Sequence, residues 1–295
     1  MNSIILINKP VDCRSTKCVA IAKRKLGGSL KVGHAGTLDS TASGLLVLLT
    51  GNATRFCEYV MSLPKVYRAV LQFGSETNTY DYSGDIVSET GYADLDGRIF
   101  ADVMSQFSGY RMQKPPSVSA VKIDGKPAYK LARSGQEVDM KARPVFFRRV
   151  KILAPYNPED GTIMLEIHCG RGTYIRTLAH DLGKIAGCGA YLKSLVRVSI
   201  GNFTIDEAVS PDSEIIPLPL SRLAENFTGI YVSERDAKSF TNGMSILLRN
   251  ALRTRRGISV DGMICVEGDS FMGFGKYAGY DYVKPEVIVP KDILC

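Results

Sequence analysis

Gly33-His34-Ala35-Gly36-Thr37-Leu38-Asp39-Ser40-Thr41-Ala42-Ser43-Gly44 is the densest concentration of chemistry-bearing residues in the chain. Gly33, Gly36 and Gly44 permit a tight loop with close backbone approach, and its ionisable members are His34 and Asp39. The stretch lacks the Gly-Lys-Ser/Thr ending of a phosphate-binding P-loop. One histidine is too few for paired-histidine nucleotidyl transfer, and no second carboxylate or histidine stands at useful metal-ligand spacing. Two readings remain open: a lone reactive carboxylate on a structured loop, or an aspartate that caps the following turn. The loop is framed by an expected strand at Ile4–Ile7, a helix from an N-capping Ser15 through Leu26, and a buried strand at Leu45–Leu49.

Further along, Val66–Phe73 alternates, with Tyr67, Ala69, Leu71 and Phe73 on one face and Val66, Arg68, Val70 and Gln72 on the other. Lys65-Val66-Tyr67-Arg68 opens that strand, and Tyr67 offers a flat ring and a hydroxyl suited to stacking on a nucleobase. Asp124-Gly125 signals a hairpin turn, Pro127–Arg133 a short helix, and Val145–Leu153 and Thr162–Cys169 two more strands. Cys169-Gly170-Arg171-Gly172-Thr173-Tyr174-Ile175-Arg176 leads into a helix over Thr173–Ala186 whose first turn displays Tyr174 and Arg176. An arginine there opposes the helix dipole, so it is expected to meet an anion, either a phosphate or a buried carboxylate such as Asp39. Pro211–Pro219, with three prolines, is the expected domain boundary. A compact tail follows, with short strands around Gly257–Val266, in the Gly/aromatic run Phe271–Tyr282 and at Val287–Val289.

The 295 residues carry 37 basic and 30 acidic side chains, a net charge of +7. Arg111–Lys151 alone holds eleven lysines and arginines against three acids, a net +8, which leaves the rest at −1. One basic region on an otherwise neutral chain is the footprint of a polyanion clasp. The 45% apolar content excludes a disordered or collagenous chain. Its longest apolar run, Leu45–Leu49, is far shorter than the ~20 residues that span a bilayer. Ile4–Ile7, followed at once by Asn8-Lys9-Pro10, is not read as a secretory signal. Seven cysteines without a C-x-x-C pair predict reduced thiols in a cytosolic protein, and the three histidines are not spaced as zinc ligands.

Five blocks in order resemble the bacterial tRNA pseudouridine-55 synthases, the TruB family: Gly33–Gly44, Lys65–Gly84 (KVYRAVLQFGSETNTYDYSG), Gln113–Gly135 (QKPPSVSAVKIDGKPAYKLARSG), Gly172–Gly183 (GTYIRTLAHDLG) and Gly187–Gly201 (GCGAYLKSLVRVSIG). The resemblance implies an α+β pseudouridine-synthase core with a central mixed, mostly antiparallel sheet over residues 1–228. It also implies a small β-rich, PUA-like RNA-binding domain over 229–295. Its implied substrate is uridine 55 in the T-arm loop of tRNA, bound by a monomer without metal, cofactor, guide RNA, membrane or obligatory protein partner. Carried over, Asp39 is the essential aspartate and Tyr67 the base-stacking tyrosine. Tyr174 and Arg176 belong to the block whose arginine pairs with the catalytic carboxylate. Leu195 lines the uracil pocket, and His34 fills the space the flipped nucleotide vacates. Residues 113–135 match a flexible segment closing over the RNA.

Burial favours a neutral carboxylate and a guanidinium within reach restores its charge, so an Asp39–Arg176 ion pair is expected. Lys9, Lys122, Lys126 and Lys130 are expected to contact the RNA, the last three through phosphates. The chain departs from the family at Asp12, where a glycine is usual in the Lys9-Pro10-Val11-Asp12-Cys13-Arg14-Ser15 opening. It departs again at Ser40, at Ser43 and at Val196, where an arginine is usual. Alternatives to this reading are a guide-RNA-dependent synthase, a non-catalytic tRNA-folding chaperone, and a metal-dependent nucleotide hydrolase using His34 and Asp39.

Overall fold

A computed structural model describes residues 2–119, 122–123, 126–128, 139–258 and 262–290. The chain forms two compact units: Met1–Ser40 with Gly44–Leu63 and Ser199–Cys295, and Thr41–Ser43 with Pro64–Val198.

In the first unit, β1 (Ile4–Lys9), α1 (Ser15–Lys25), β2 (Val32–His34) and β3 (Ser43–Thr50) lead to a 3-10 turn and α2 (Cys57–Ser62). Strand β3 pairs antiparallel with β1 on one side, Leu6 opposite Val47, and with β2 on the other, His34 opposite Leu48. Its unbroken apolar run is explained by burial on both faces. Ile5, Ile7, Leu46 and Leu48 pack beneath Cys18 and Ala22 of α1, while Ile4, Leu6, Leu45, Val47 and Leu49 meet Phe56, Tyr59 and Val60.

The second unit holds β4 (Lys65–Phe73), β5 (Ser75–Thr77), β6 (Ile86–Glu89), α3 (Ile99–Gln106), β7 (Gly109–Gln113), β8 (Lys122–Ile123), β9 (Lys126–Pro127), β10 (Arg143–Asn157), β11 (Thr162–Cys169), α4 (Ile175–Ala186) and β12 (Ala190–Ile200). Its large sheet runs β12-β4-β11-β10-β7, so among the described residues β7 is an edge. The described ladders β4–β11, β11–β10 and β10–β7 are antiparallel. As the alternation predicts, Tyr67, Ala69, Leu71 and Phe73 are buried and Arg68 is exposed. Strands β8 and β9 pair as a hairpin; the turn residues Asp124 and Gly125, and most of the expected helix at 127–133, lie outside the described residues. Gly183 lies inside α4 because a Cβ there would collide with the backbone at Gly189 and Ala190.

Back in the first unit come β13 (Phe203–Thr204), α5 (Ser221–Ala224), β14 (Gly229–Tyr231), α6 (Glu234–Thr241), β15 (Ile246–Leu247), β16 (Arg253–Arg255), β17 (Met263–Glu267), β18 (Phe271–Tyr277) and β19 (Tyr282–Pro290). The proline-rich run is no free linker. Leu218 exchanges two backbone hydrogen bonds with Ile4 (3.0 and 2.8 Å), and Val209 accepts from Asn8 and donates to Leu6 (2.8 and 3.1 Å). Leu218 in the run and Val209 just before it thereby cover the outer edge of β1. The six C-terminal strands form a sheet in the order β15-β19-β18-β17-β14-β16. Phe240, Phe271, Val266 and Val283 make a core of their own, while Phe274 joins the larger core through Phe56, Tyr59 and Phe227 at ring separations of 5.3, 4.7 and 4.9 Å. The fold is α+β, as the sequence predicts.

Candidate active site

The expected catalytic residues are distributed over the two units. Asp39, His34 and Lys9 belong to the first; Tyr67, Tyr174, Arg176 and Leu195 belong to the second.

In the first unit, Asp39 is half-buried, and the residues on either side of it are fixed by long-range bonds. Ser15 was expected to cap α1, but Arg14 occupies the N-cap without a side-chain bond and Ser15 is the first helical residue. The Ser15 hydroxyl instead accepts from the Leu38 N–H at 3.0 Å and donates to the Leu38 carbonyl at 2.9 Å. On the other side, the Asp12 N–H donates to the Ser40 carbonyl at 2.8 Å. Asp12 has φ 58°, so the left-handed conformation usual for glycine is kept, and aspartate is among the few non-glycine residues that tolerate it. Lys9 is fully buried, and its ammonium donates to the carbonyls of Pro10 (2.9 Å) and Cys13 (2.7 Å), folding this turn around itself. His34 ends β2; the Ala35 N–H then donates to Val47 at 2.8 Å, and Gly36 turns the chain at φ 104°.

In the second unit, Arg176 stands in the first turn of α4 and is 4% exposed. Its guanidinium donates to the carbonyls of Thr79 and Val118 at 3.1 Å, and its Nε lies 3.7 Å from Asp81 Oδ2. The anion expected beside this arginine is thus matched by a buried carboxylate, Asp81, that the motif reading passed over. Asp81 is held by hydroxyls. Thr79 (2.8 Å) and Ser83 (2.6 Å) donate to Oδ1, and Thr41 donates to Oδ2 at 3.3 Å. The preceding Tyr80 has φ 62°, a strained setting for a tyrosine, and its ring stacks on His180 at 3.9 Å and 10°. Burial, then Lys184, lowers the His180 pKa, with Glu76 opposing.

Tyr174 is the extended N-cap of α4 rather than a residue of its first turn. The Gln113 side-chain amide binds both of its backbone polar groups, accepting from the N–H (2.8 Å) and donating to the carbonyl (2.9 Å). Tyr67 and Leu195 are buried at 9% and 8% exposure. Lys65, two residues before Tyr67 on the same face, is pushed down to about 7 by burial and then by Arg197 and Arg171, with Cys169 opposing. In the basic stretch, Lys122 and Lys126 lie on β8 and β9, and Lys130 lies outside the described residues.

The first unit thus offers a carboxylate, Asp39, on a loop pinned from both sides, and the second an arginine, Arg176, buried with a second carboxylate, Asp81. Residues 23–175 match the N-terminal domain of TruB family pseudouridylate synthases. The chain belongs to the TruB family. Among its relatives, the tRNA pseudouridine synthase B of Ralstonia nicotianae is 35% identical over 98% of this chain and 94% of its own length. That of Aquifex aeolicus is 34% identical over the whole of both chains. A solved Cbf5-Nop10-Gar1 complex contains a chain of similar fold, with TM-score 0.71 and 21% identity over 98% of this chain and 84% of that one. This TruB family member is therefore a pseudouridine synthase, with the fold of that class.

Proposed function

We propose that this synthase converts uridine to pseudouridine in tRNA, at position 55 in the loop of the T arm, with Asp39 as its catalytic carboxylate. The observation that carries this reading is the double fixation of the Asp39 loop, at Leu38 by Ser15 and at Ser40 by Asp12. The names and full-length similarity of the bacterial relatives support tRNA as the substrate.

The reaction is an isomerisation. The bond from N1 to the ribose breaks, uracil turns, C5 bonds to the ribose in its place, C5 loses its proton and N1 gains one. Flipping the base out of its loop costs a few kcal/mol, and stacking on Tyr67 offsets about 1–3 kcal/mol of that. Asp39 acts ionised at the ribose or the uracil, with Arg176 as its counter-charge and Asp81 holding Arg176 in place. Leu195 and Tyr174 line the base pocket, and His34 fills the gap left in the loop. Tyr67 is the proposed acceptor of the C5 proton. Phosphate contacts come from Lys122, Lys126 and Lys130, while the buried Lys9 braces the turn at Asp12 through the carbonyls of Pro10 and Cys13. Residues 1–228 form the catalytic domain and 229–295 a PUA-like RNA-binding module.

The test is incubation with an unmodified tRNA transcript followed by mapping of pseudouridine. Modification confined to position 55 is expected. A transcript left unmodified, or modified elsewhere only, contradicts the reading.

A further inference from the structure

The sheet of the second unit has two unlike faces. Tyr67 of β4 lies opposite Ile167 of β11, and Phe147 of β10 lies opposite Cys169 of β11 and Gly109 of β7; all these positions belong to the buried face. The alternating positions emerge on the other side. There Phe146 of β10 sits opposite Tyr110 of the edge strand β7, their rings 5.1 Å apart, with Met112 two residues along. These are large apolar side chains left in water: Tyr110 is 81% exposed, Met112 66% and Phe146 38%.

The same face is basic. A β-bulge between Phe147 and Arg149 places two successive exposed arginines, Arg148 and Arg149, between the inward-facing Phe147 and Val150. Beyond them Lys151, Glu166 and Arg68 form one row across three strands. Among the described residues of β4, β7, β10 and β11, Glu166 is the one carboxylate on this face, and it already pairs with Arg68 (3.6 Å) and His168 (3.0 Å).

We propose that this outer sheet face is a second RNA-binding platform, on which unpaired bases stack against Tyr110 and Phe146 while Arg148, Arg149 and Lys151 meet the phosphates. An open antiparallel sheet with exposed aromatic rings and surrounding cations is the physical requirement for single-stranded RNA binding: the rings receive base faces regardless of sequence and the cations track the backbone. A second copy of this chain is the rival occupant, since β7 is an edge among the described residues. A two-fold contact would set the patch against itself and bring Arg148 and Arg149 against their own copies. A polyanion meets the same charges favourably. The platform faces away from Tyr67, so it is independent of the uridine site.

The experiment is fluorescence anisotropy of the full-length protein with a labelled oligouridine of about ten nucleotides, a length one such platform covers. Tyr110→Ala/Phe146→Ala is expected to weaken binding about tenfold or more. Tyr110→Phe, which keeps the ring, is expected to bind as the wild type does. Arg148→Glu/Arg149→Glu is expected to weaken binding and flatten its salt dependence. Tyr110→Ala/Phe146→Ala and Tyr110→Phe keep the wild-type melting temperature and the wild-type rate on a minimal T-arm hairpin. Unchanged oligouridine affinity in the double alanine variant overturns the proposal. So does unchanged affinity combined with loss of self-association in sedimentation, which would assign the face to a second copy. A wild-type protein inactive on the hairpin would count against the proposed uridine chemistry and leave the binding measurement readable.

Discussion

The Ser15 hydroxyl bonds both backbone polar groups of Leu38, accepting from its N–H at 3.0 Å and donating to its carbonyl at 2.9 Å. A single side chain at the start of a helix therefore sets the backbone immediately before Asp39. Ser15→Ala leaves both Leu38 groups to seek other partners inside the protein. A loss of about 1–3 kcal/mol of stability is expected, together with a fall in turnover. Urea denaturation and single-turnover kinetics check this; a variant as active and stable as the wild type would show that the brace is idle.

The Asp81 carboxyl group lies 3.7 Å from the buried Arg176 guanidinium. Removing one partner of a buried pair costs about 3–5 kcal/mol. Asp81→Asn retains an acceptor for Thr79 and Ser83 but removes the charge, whereas Asp81→Ala removes both. Turnover is expected to fall in both variants, and melting temperature to fall further in Asp81→Ala than in Asp81→Asn.

The Lys65 ammonium is pushed down to about 7 from an ordinary 10.5. Between those values the unfolded chain binds a proton that the folded chain does not, so this residue makes stability rise with pH from about 7 to 10.5. Below about 7 both states are protonated and the cost of burying the charge is fully present. Lys65→Met is therefore expected to raise the melting temperature more at pH 6 than at pH 9.5, as differential scanning calorimetry at the two values would reveal. An equal gain at both would contradict a strongly depressed lysine.

Asp12 occupies a left-handed conformation at φ 58°, and glycine adopts it without the steric penalty of a Cβ. Asp12→Gly is expected to match or slightly exceed the wild-type stability, and Asp12→Val, β-branched, to lose about 1–2 kcal/mol. Thermal melts order the three proteins.

What could be read from the sequence was what is periodic or contiguous. The alternation of Val66–Phe73 announced the faces of β4, and the run Leu45–Leu49 announced a strand buried on both sides. The departure at Asp12 was legible as a substitution, but its retained geometry was not, because φ is set by the turn closed around Lys9. Ser15 looked like a cap since serine before an apolar period usually is one; its true partner lies 23 residues away, beyond any local signal. Asp81 was hidden for a similar reason. Thr79, Tyr80 and Ser83 around it read as a polar loop, and only folding buries the carboxylate beside Arg176, 95 positions further on. Gln113 gave no sign of gripping Tyr174. Helix α6 went unread because its eight residues are mostly polar, although Ser233 does cap it through Asp236.

The most direct test of the central claim is tritium release from C5-labelled uridine in unmodified tRNA, comparing the wild type with Asp39→Asn. The wild type should release tritium, while Asp39→Asn should release none and bind tRNA within about tenfold of the wild-type affinity, a difference of about 1.4 kcal/mol. Sustained release by Asp39→Asn would contradict the assignment of the chemistry to this carboxylate.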